Sequence, residues 1–346
     1  MAKQLKTSYQ DHEITMEAME IFYERHPEYW ERYGERGREK AYQDWLFHLS
    51  YLAAAINANE PNLFIDYLAW CKMFFKSINF PEKYLLESFE ILLLIFDRNE
   101  PKYGTQAKNY LTTGLEKFND LPDEINSFLD QDTELAVLAQ QYLNSLLRGD
   151  RNVAANLIFD AIEHGIPIKK IYLQVFQPVQ YEVGRLWHLN KINVAKEHYC
   201  TAVTQNIIAR LYAHLFTGQK SDKKIIATCA PGELHELGIR MVADFFQMEG
   251  WDTYFLGANT PMESLIETLS EIRPDILALS ATVAFNVNKL ATIIDSIRNT
   301  DGISDIKVMV GGYPFIKNPD LWKTIGANAF AKDAQQAIEV ADKLIA

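Results

Sequence analysis

The stretch PGELHELG, Pro231–Gly238, sets an imidazole two residues after a carboxylate. His235 can ligate a metal through one ring nitrogen while its other N–H meets Glu233. Such a bond fixes the ring and raises its basicity. Gly238, three residues on, lets the backbone approach something bulky. After 41 more residues comes Ser280-Ala281-Thr282, and after another 28 comes Gly311-Gly312. A second carboxylate–imidazole pair, Glu197-His198, follows Trp187 by ten and eleven residues. Each residue alone has a plainer reading. A histidine in such a loop is usually structural, a tryptophan is usually helix core, and an adjacent Glu–His pair is usually a solvated helix face. The joint spacing is what argues for a site.

The elements that must position these residues follow from the pattern. KKIIATCA, DTYFLG, DILALSAT and IKVMVGG read as buried strands, with AFAKD as a short fifth. Helical patterns of 10–15 residues separate them, which predicts a doubly wound parallel sheet. Five strands suggest the flavodoxin-like order, in which ligands sit beyond the carboxyl ends of the strands. His235, Ser280 and Gly311 all fall at such ends. Residues 131–217 read as a four-helix bundle. Gly149 stops its first helix, Asp150 caps the second, Pro167 opens the third, and Asn193 caps the fourth. Residues 1–100 are helical by pattern and dense in aromatics from Trp30 to Phe75. The polar segment 101–130 reads as a linker, and 220–346 as the Rossmann-like domain.

Residues 220–346 resemble the cobalamin-binding domain of methionine synthase, corrinoid methyl carriers and cobalamin-dependent mutases. The pattern is D-x-H-x-x-G, then S-x-T or S-x-L, then G-G. Here Glu233 replaces the usual aspartate, keeping the carboxylate on a longer arm. The resemblance implies that His235 is the lower axial ligand of cobalt. It also implies that Ser280, Gly311 and Gly312 line the slot for the displaced dimethylbenzimidazole tail, with Gly238 and Thr282 among the cofactor-binding residues.

Bundle and sheet together, with W-x9-E-H at the third-to-fourth helix turn, resemble the adenosylcobalamin-dependent photoreceptors of the CarH type. By position, Trp187 would pack on the adenosyl group and Glu197 would hydrogen-bond the adenosine. His198 would ligate cobalt after light cleaves the Co–C bond. YEVGRLW also looks like this family's cap, with Gly184 allowing close packing. Residues 1–100, through HPEYWERYGERGREKAYQDWLFHLSYLAAAI and LFIDYLAWCKMFF, look like the N-terminal helical domain of the photocobilins, which bind cobalamin and biliverdin together. Arg32, Arg36, Arg38 and His48 could serve a bilin's propionates and pyrroles. Cys71 reads as a buried small hydrophobe rather than a covalent anchor.

The 346 residues carry a formal net charge of −12. With no dense Lys/Arg cluster, this argues against nucleic acid as a partner. No helix-turn-helix is recognisable. The polar N-terminus shows no signal peptide, and the longest apolar run, ILLLIF, is too short to span a bilayer. Three scattered cysteines suit a reducing cytoplasm. The expectation is a non-catalytic light sensor that uses adenosylcobalamin and biliverdin. It would signal through a light-dependent homo-oligomer or a protein effector. The alternative is a corrinoid methyl carrier serving partner methyltransferases. A mutase would need a substrate barrel, which this length cannot hold.

Overall fold

The computed structural model describes residues 9–98, 104–130, 132–214 and 221–346. The chain forms two units, Met1–Asp123 and Glu124–Ala346.

Among the described residues, five α-helices build the first unit: α1 Tyr9–Arg25, α2 Pro27–Asn57, α3 Pro61–Ser77, α4 Glu82–Arg98 and α5 Gly104–Lys117. Proline opens α2 and α3, where its missing N–H has no intrahelical partner to lose. Glu60 caps α3 by accepting from Asn62 N at 3.1 Å. Trp45, Leu52, Phe64, Leu68, Leu85 and Phe89 fill the centre. Helix α2 breaks at Gly34, whose φ of 55° is one that residues with a Cβ resist.

The expected linker at 101–130 is different in the structure. Helix α5 lies inside it and buries Ala107, Leu111 and Gly114. A Cβ on Gly114 would stand 2.5 Å from Leu68 Cδ1, so α5 is built to press on α3. Beyond the boundary, Arg185 binds Ile125 O and Glu182 accepts from Phe128 N, so 124–130 fold with the second unit.

In the second unit, α6 Ala136–Arg148 and α7 Arg151–Glu163 come first. Helix α6 ends on Gly149 in the left-handed region, φ 84°. Asp150 stands at the N-cap position of α7, but its side chain makes no cap bond. Helix α8, Ile168–Ile171, continues through a π turn at Tyr172–Phe176 into α9, Gln177–His188. Pro178, near the start of α9, explains the wide turn: its ring cannot donate to the preceding turn and clashes with the carbonyl there. Asn193 then caps α10, Val194–Leu211, by accepting from Lys196 N at 2.9 Å.

The strands are β1 Lys224–Cys229, β2 Asp252–Gly257, β3 Ile276–Ser280, β4 Lys307–Gly311 and β5 Ala329–Phe330. All pair in parallel in the order β2-β1-β3-β4-β5, which is the expected flavodoxin-like order. Strand β3 is buried along its whole length, as a central parallel strand covered on both faces should be. Its helices are α11 Leu237–Met248, α12 Met262–Ile272, α13 Val287–Arg298, the short α14 Tyr313–Lys317 and α15 Leu321–Thr324, and α16 Ala334–Leu344. One continuous core joins bundle to sheet, running from Tyr142, Tyr172 and Phe176 to Phe245 and Phe246 on α11.

Candidate functional site

Strand order reverses between β1 and β3, the point at which open parallel sheets take their ligands. Glu233 and His235 stand in the loop after β1; Thr282 and Val283 stand in the loop after β3. Glu233 is 1% exposed and bridges the two. Its Oε2 accepts from Thr282 N at 2.9 Å, Val283 N at 3.1 Å and Asn286 Nδ2 at 3.0 Å. Its Oε1 accepts from Leu234 N, His235 N and the Nδ1 of His235. Burial alone would raise this carboxyl's pKa, but the bonds from His235, Asn286, Val283 and Thr282 override it and hold it at about 2. Glu233 is therefore a fixed anion.

The His235 ring is held by Nδ1, and its side chain is 61% exposed. Its pKa is raised, first by the Glu233 hydrogen bond and against burial, with the charges of Glu233 and Glu197 adding. Exposed Leu234 lies next to it in the chain. A Cβ on Gly238 would meet nothing within 4 Å among the described residues, so that glycine leaves open space rather than serving protein packing.

Ser280 and Gly311 are register partners at the ends of β3 and β4. Gly312 has φ 105°, and a Cβ there would fall 2.0 Å from Ala281 O. Only glycine fits. Thr282 contributes its backbone N–H to Glu233.

From the bundle, α10 presents Glu197 and His198 in its first turn. His198 Nδ1 lies 2.5 Å from Glu197 Oε2, and the imidazole side chain is 75% exposed. The Thr201 hydroxyl lies 3.1 Å from both Glu197 Oε1 and Gln180 Oε1. Two turns along α10, Gln205 Nε2 donates to Glu236 Oε1 at 3.2 Å, tying the bundle to the His235 loop. Glu236 Oε2 also accepts from Ala258 N at 2.9 Å. Trp187 is half-buried near the end of α9. Gly184 has nothing within 4 Å of a built Cβ, so the close protein packing expected there is absent among the described residues.

The donor set fits a corrinoid. One mostly exposed imidazole is held by Nδ1 alone, the same sheet ends in glycines at β4, and an exposed leucine and open Gly238 flank the ring in sequence. Asn286, Lys289, Glu236 and Gln205 were not singled out from the sequence. Asn286, at the N-terminal end of α13, makes no side-chain cap bond and turns to Glu233 instead.

In the first unit the residues suggested as bilin contacts fall in two environments. Arg32, Arg36 and Arg38 are exposed near the Gly34 break. Arg32 lies over the ring of Tyr33 and Arg38 over that of Trp30. His48 is 4% exposed, lies 2.7 Å from Tyr67 OH, and burial lowers its pKa to about 3, so it is a neutral core residue. Cys71 is 1% exposed and burial raises its thiol's pKa, so it is inert toward covalent attachment. A cavity of about 420 Å³ lies elsewhere, lined by Lys72, Phe75, Lys76 and Phe80 among others.

Residues 223–341 match a family described as the B12 binding domain, and residues 138–212 match a second B12 binding domain model. The dimethylamine corrinoid protein of Methanosarcina barkeri is 28% identical over 124 residues, covering 35% of this chain and 56% of that protein. The HTH-type transcriptional repressor CarA of Myxococcus xanthus is 25% identical over 151 residues, 43% of this chain and 51% of that one. The chain thus spans about half the length of these curated relatives. The solved monomethylamine corrinoid protein of Methanosarcina barkeri shares the fold, with a TM-score of 0.55 at 21% identity over 61% of this chain and 99% of that one. With two B12 binding domains in succession over more than half of its length, the chain belongs to the cobalamin-binding proteins.

Proposed function

We propose that the protein is a light sensor that binds adenosylcobalamin, in the manner of the CarH-type photoreceptors. The observation that supports this most is the second carboxylate–imidazole pair. Glu197–His198 repeats the device of Glu233–His235: a carboxylate takes Nδ1 of a mostly exposed ring and leaves Nε2 as the nitrogen for a metal. Gln205 of the same helix donates to Glu236 on the His235 loop, which supports α10 as the element beside that loop. A methyl carrier needs His235 but has no use for a second imidazole there.

Bound adenosylcobalamin supplies a cobalt–carbon bond that light can cleave. His235 would hold the cobalt from below. Trp187 would shield the adenosyl side and Glu197 would hydrogen-bond it. His198 would be the replacement ligand after illumination. The output is a light-dependent homo-oligomer or a protein effector. The first unit would hold biliverdin as a second chromophore without a covalent link, since Cys71 is sealed in the core.

The test is a visible spectrum of adenosylcobalamin-loaded protein before and after green light. Wild type should give a stable photoproduct, and His198→Ala should bind in the dark but yield an aquo-type product. Dark and lit spectra of His198→Ala that both match wild type would sink the reading. For the second chromophore, co-production with biliverdin should give a red-absorbing band that survives gel filtration and is lost on denaturation. The competing reading, a methyl carrier, draws on the likeness to the dimethylamine corrinoid protein. Rapid methyl transfer from methylcobalamin to a thiol acceptor, with no stable photoproduct, would establish it instead.

A further inference from the structure

The hydrogen bonds behind His235 do not stop at Glu233. Asn286 is 1% exposed; its Nδ2 donates to Glu233 Oε2 at 3.0 Å, and its Oδ1 accepts from Lys289 Nζ at 2.7 Å. Lys289 Nζ also donates to Pro231 O at 2.8 Å, on the loop that carries His235. An asparagine amide can face either way, and only its neighbours decide. An ammonium group only donates, so it demands the amide oxygen. An ionised carboxylate only accepts, so it demands the amide NH₂. Lys289 and Glu233 therefore fix Asn286 in one orientation, and the donors converge on Glu233, from Lys289 through Asn286 on one oxygen and from His235 on the other. The loop is shaped around this ammonium. A Cβ on Gly232, φ 79°, would stand 2.9 Å from Lys289 Nζ. Burial lowers the pKa of Lys289, while the charge of Glu233 opposes that shift.

We infer that Lys289, acting through the side-chain amide of Asn286, is the positioning residue that locks the Glu233 carboxylate and so aims His235 at a corrinoid cobalt. Without the ammonium, the buried Asn286 oxygen has lost its donor and the amide is held only at its NH₂ end. The side chain can then swing away to satisfy that oxygen, Glu233 loses a donor, and the His235 ring loses its fixed pose. The inference rests on His235 as the lower ligand and adds a distant control over it.

The experiment measures hydroxocobalamin affinity and the axial-nitrogen splitting in the electron paramagnetic resonance spectrum of bound cob(II)alamin. Lys289→Met should bind roughly tenfold or more weakly, the usual cost of losing a group that orients a metal ligand, and part of its cob(II)alamin should lack the nitrogen splitting. Lys289→Arg, which still only donates, should restore both. Asn286→Leu should show the same defect, and adding Lys289→Met to it should cost nothing more. Wild-type behaviour of Lys289→Met overturns the inference, as do additive losses in the double variant, which would mean that Lys289 acts only by bracing Pro231. His235→Ala separates the two levels. If it keeps affinity and splitting, His235 is no ligand and both readings fall. If it loses them while Lys289→Met and Asn286→Leu match wild type, only the positioning chain falls.

Discussion

Glu233 concentrates the energetics of the site in one side chain. A carboxylate with 1% exposure is costly unless its lone pairs are satisfied. Here backbone N–H groups of both loops, Asn286 and the His235 ring do so. Its pKa falls from an ordinary 4.5 to about 2. A depressed carboxyl contributes stability that is fully present above the unfolded value and is lost as pH falls through the folded one. In cobalamin-free protein, Glu233→Gln should therefore cost roughly 1–3 kcal/mol at pH 7. The gap from wild type should close between about pH 4.5 and pH 2. Chemical denaturation across that range measures it, and a gap independent of pH would refute the assignment. The Glu–His–Gly spacing was legible because the ligand loop is local in sequence. Asn286 and Lys289 were not, because Asn286 meets Glu233 across 53 residues and only the β1–β3 adjacency brings them together.

At the scale of elements, the bundle meets the sheet through the π turn of Tyr172–Phe176. Tyr172 OH donates to Asp244 Oδ2 of α11 at 2.8 Å, with both residues buried. Burial raises the pKa of Asp244 from 3.8 to about 6, against the Tyr172 bond and the Arg240 charge. Ionised, this carboxylate strains the junction at neutral pH; protonated, it does not. Asp244→Asn keeps an acceptor for Tyr172 and discards the charge. It should raise stability by roughly 1–3 kcal/mol at pH 7.5, with the gain disappearing as pH falls from about 6 toward 3.8. Thermal melts at several pH values check this, and a loss of stability at pH 7.5 would contradict it. The parallel sheet and the bundle were readable because their apolar runs and caps agree with their periods. Helix α5 was not. GTQAKNYLTTGLEK has weak helical preference and few apolar residues, and packing of Leu111 and Gly114 holds it in place. The aromatics of the first unit were legible as a group but not by role. Tyr67 and Phe64 are core while Trp30, Tyr33 and Phe47 are exposed, a division that composition does not carry.

Across the whole molecule, the question is how a change at one imidazole becomes a signal. The body of α10 is pinned. Cys200, Val203 and Ile207 are in the core, and Thr204 Oγ1 lies 2.9 Å from Tyr142 OH. Its first two turns are tied to the end of α6, through Lys196 Nζ to Leu147 O at 3.0 Å and Tyr199 OH to Gly149 O at 2.7 Å. A pull on His198 would thus reach α6 and α7 rather than dissipate within α10, and packed helices switch between arrangements more readily than they bend. Exposed apolar residues stand at the same end of the bundle, Val153 in the first turn of α7 and Val194 in that of α10. Illumination of the adenosylcobalamin-loaded protein should therefore change its self-association, and His198→Ala should abolish most of that change while leaving dark binding intact. Size-exclusion chromatography in dark and light, over a wide range of protein concentration, reads both. Val153→Lys should weaken whichever form is larger. Identical elution in dark and light at every concentration would remove assembly as the output and leave a protein effector as the route from cobalt to signal.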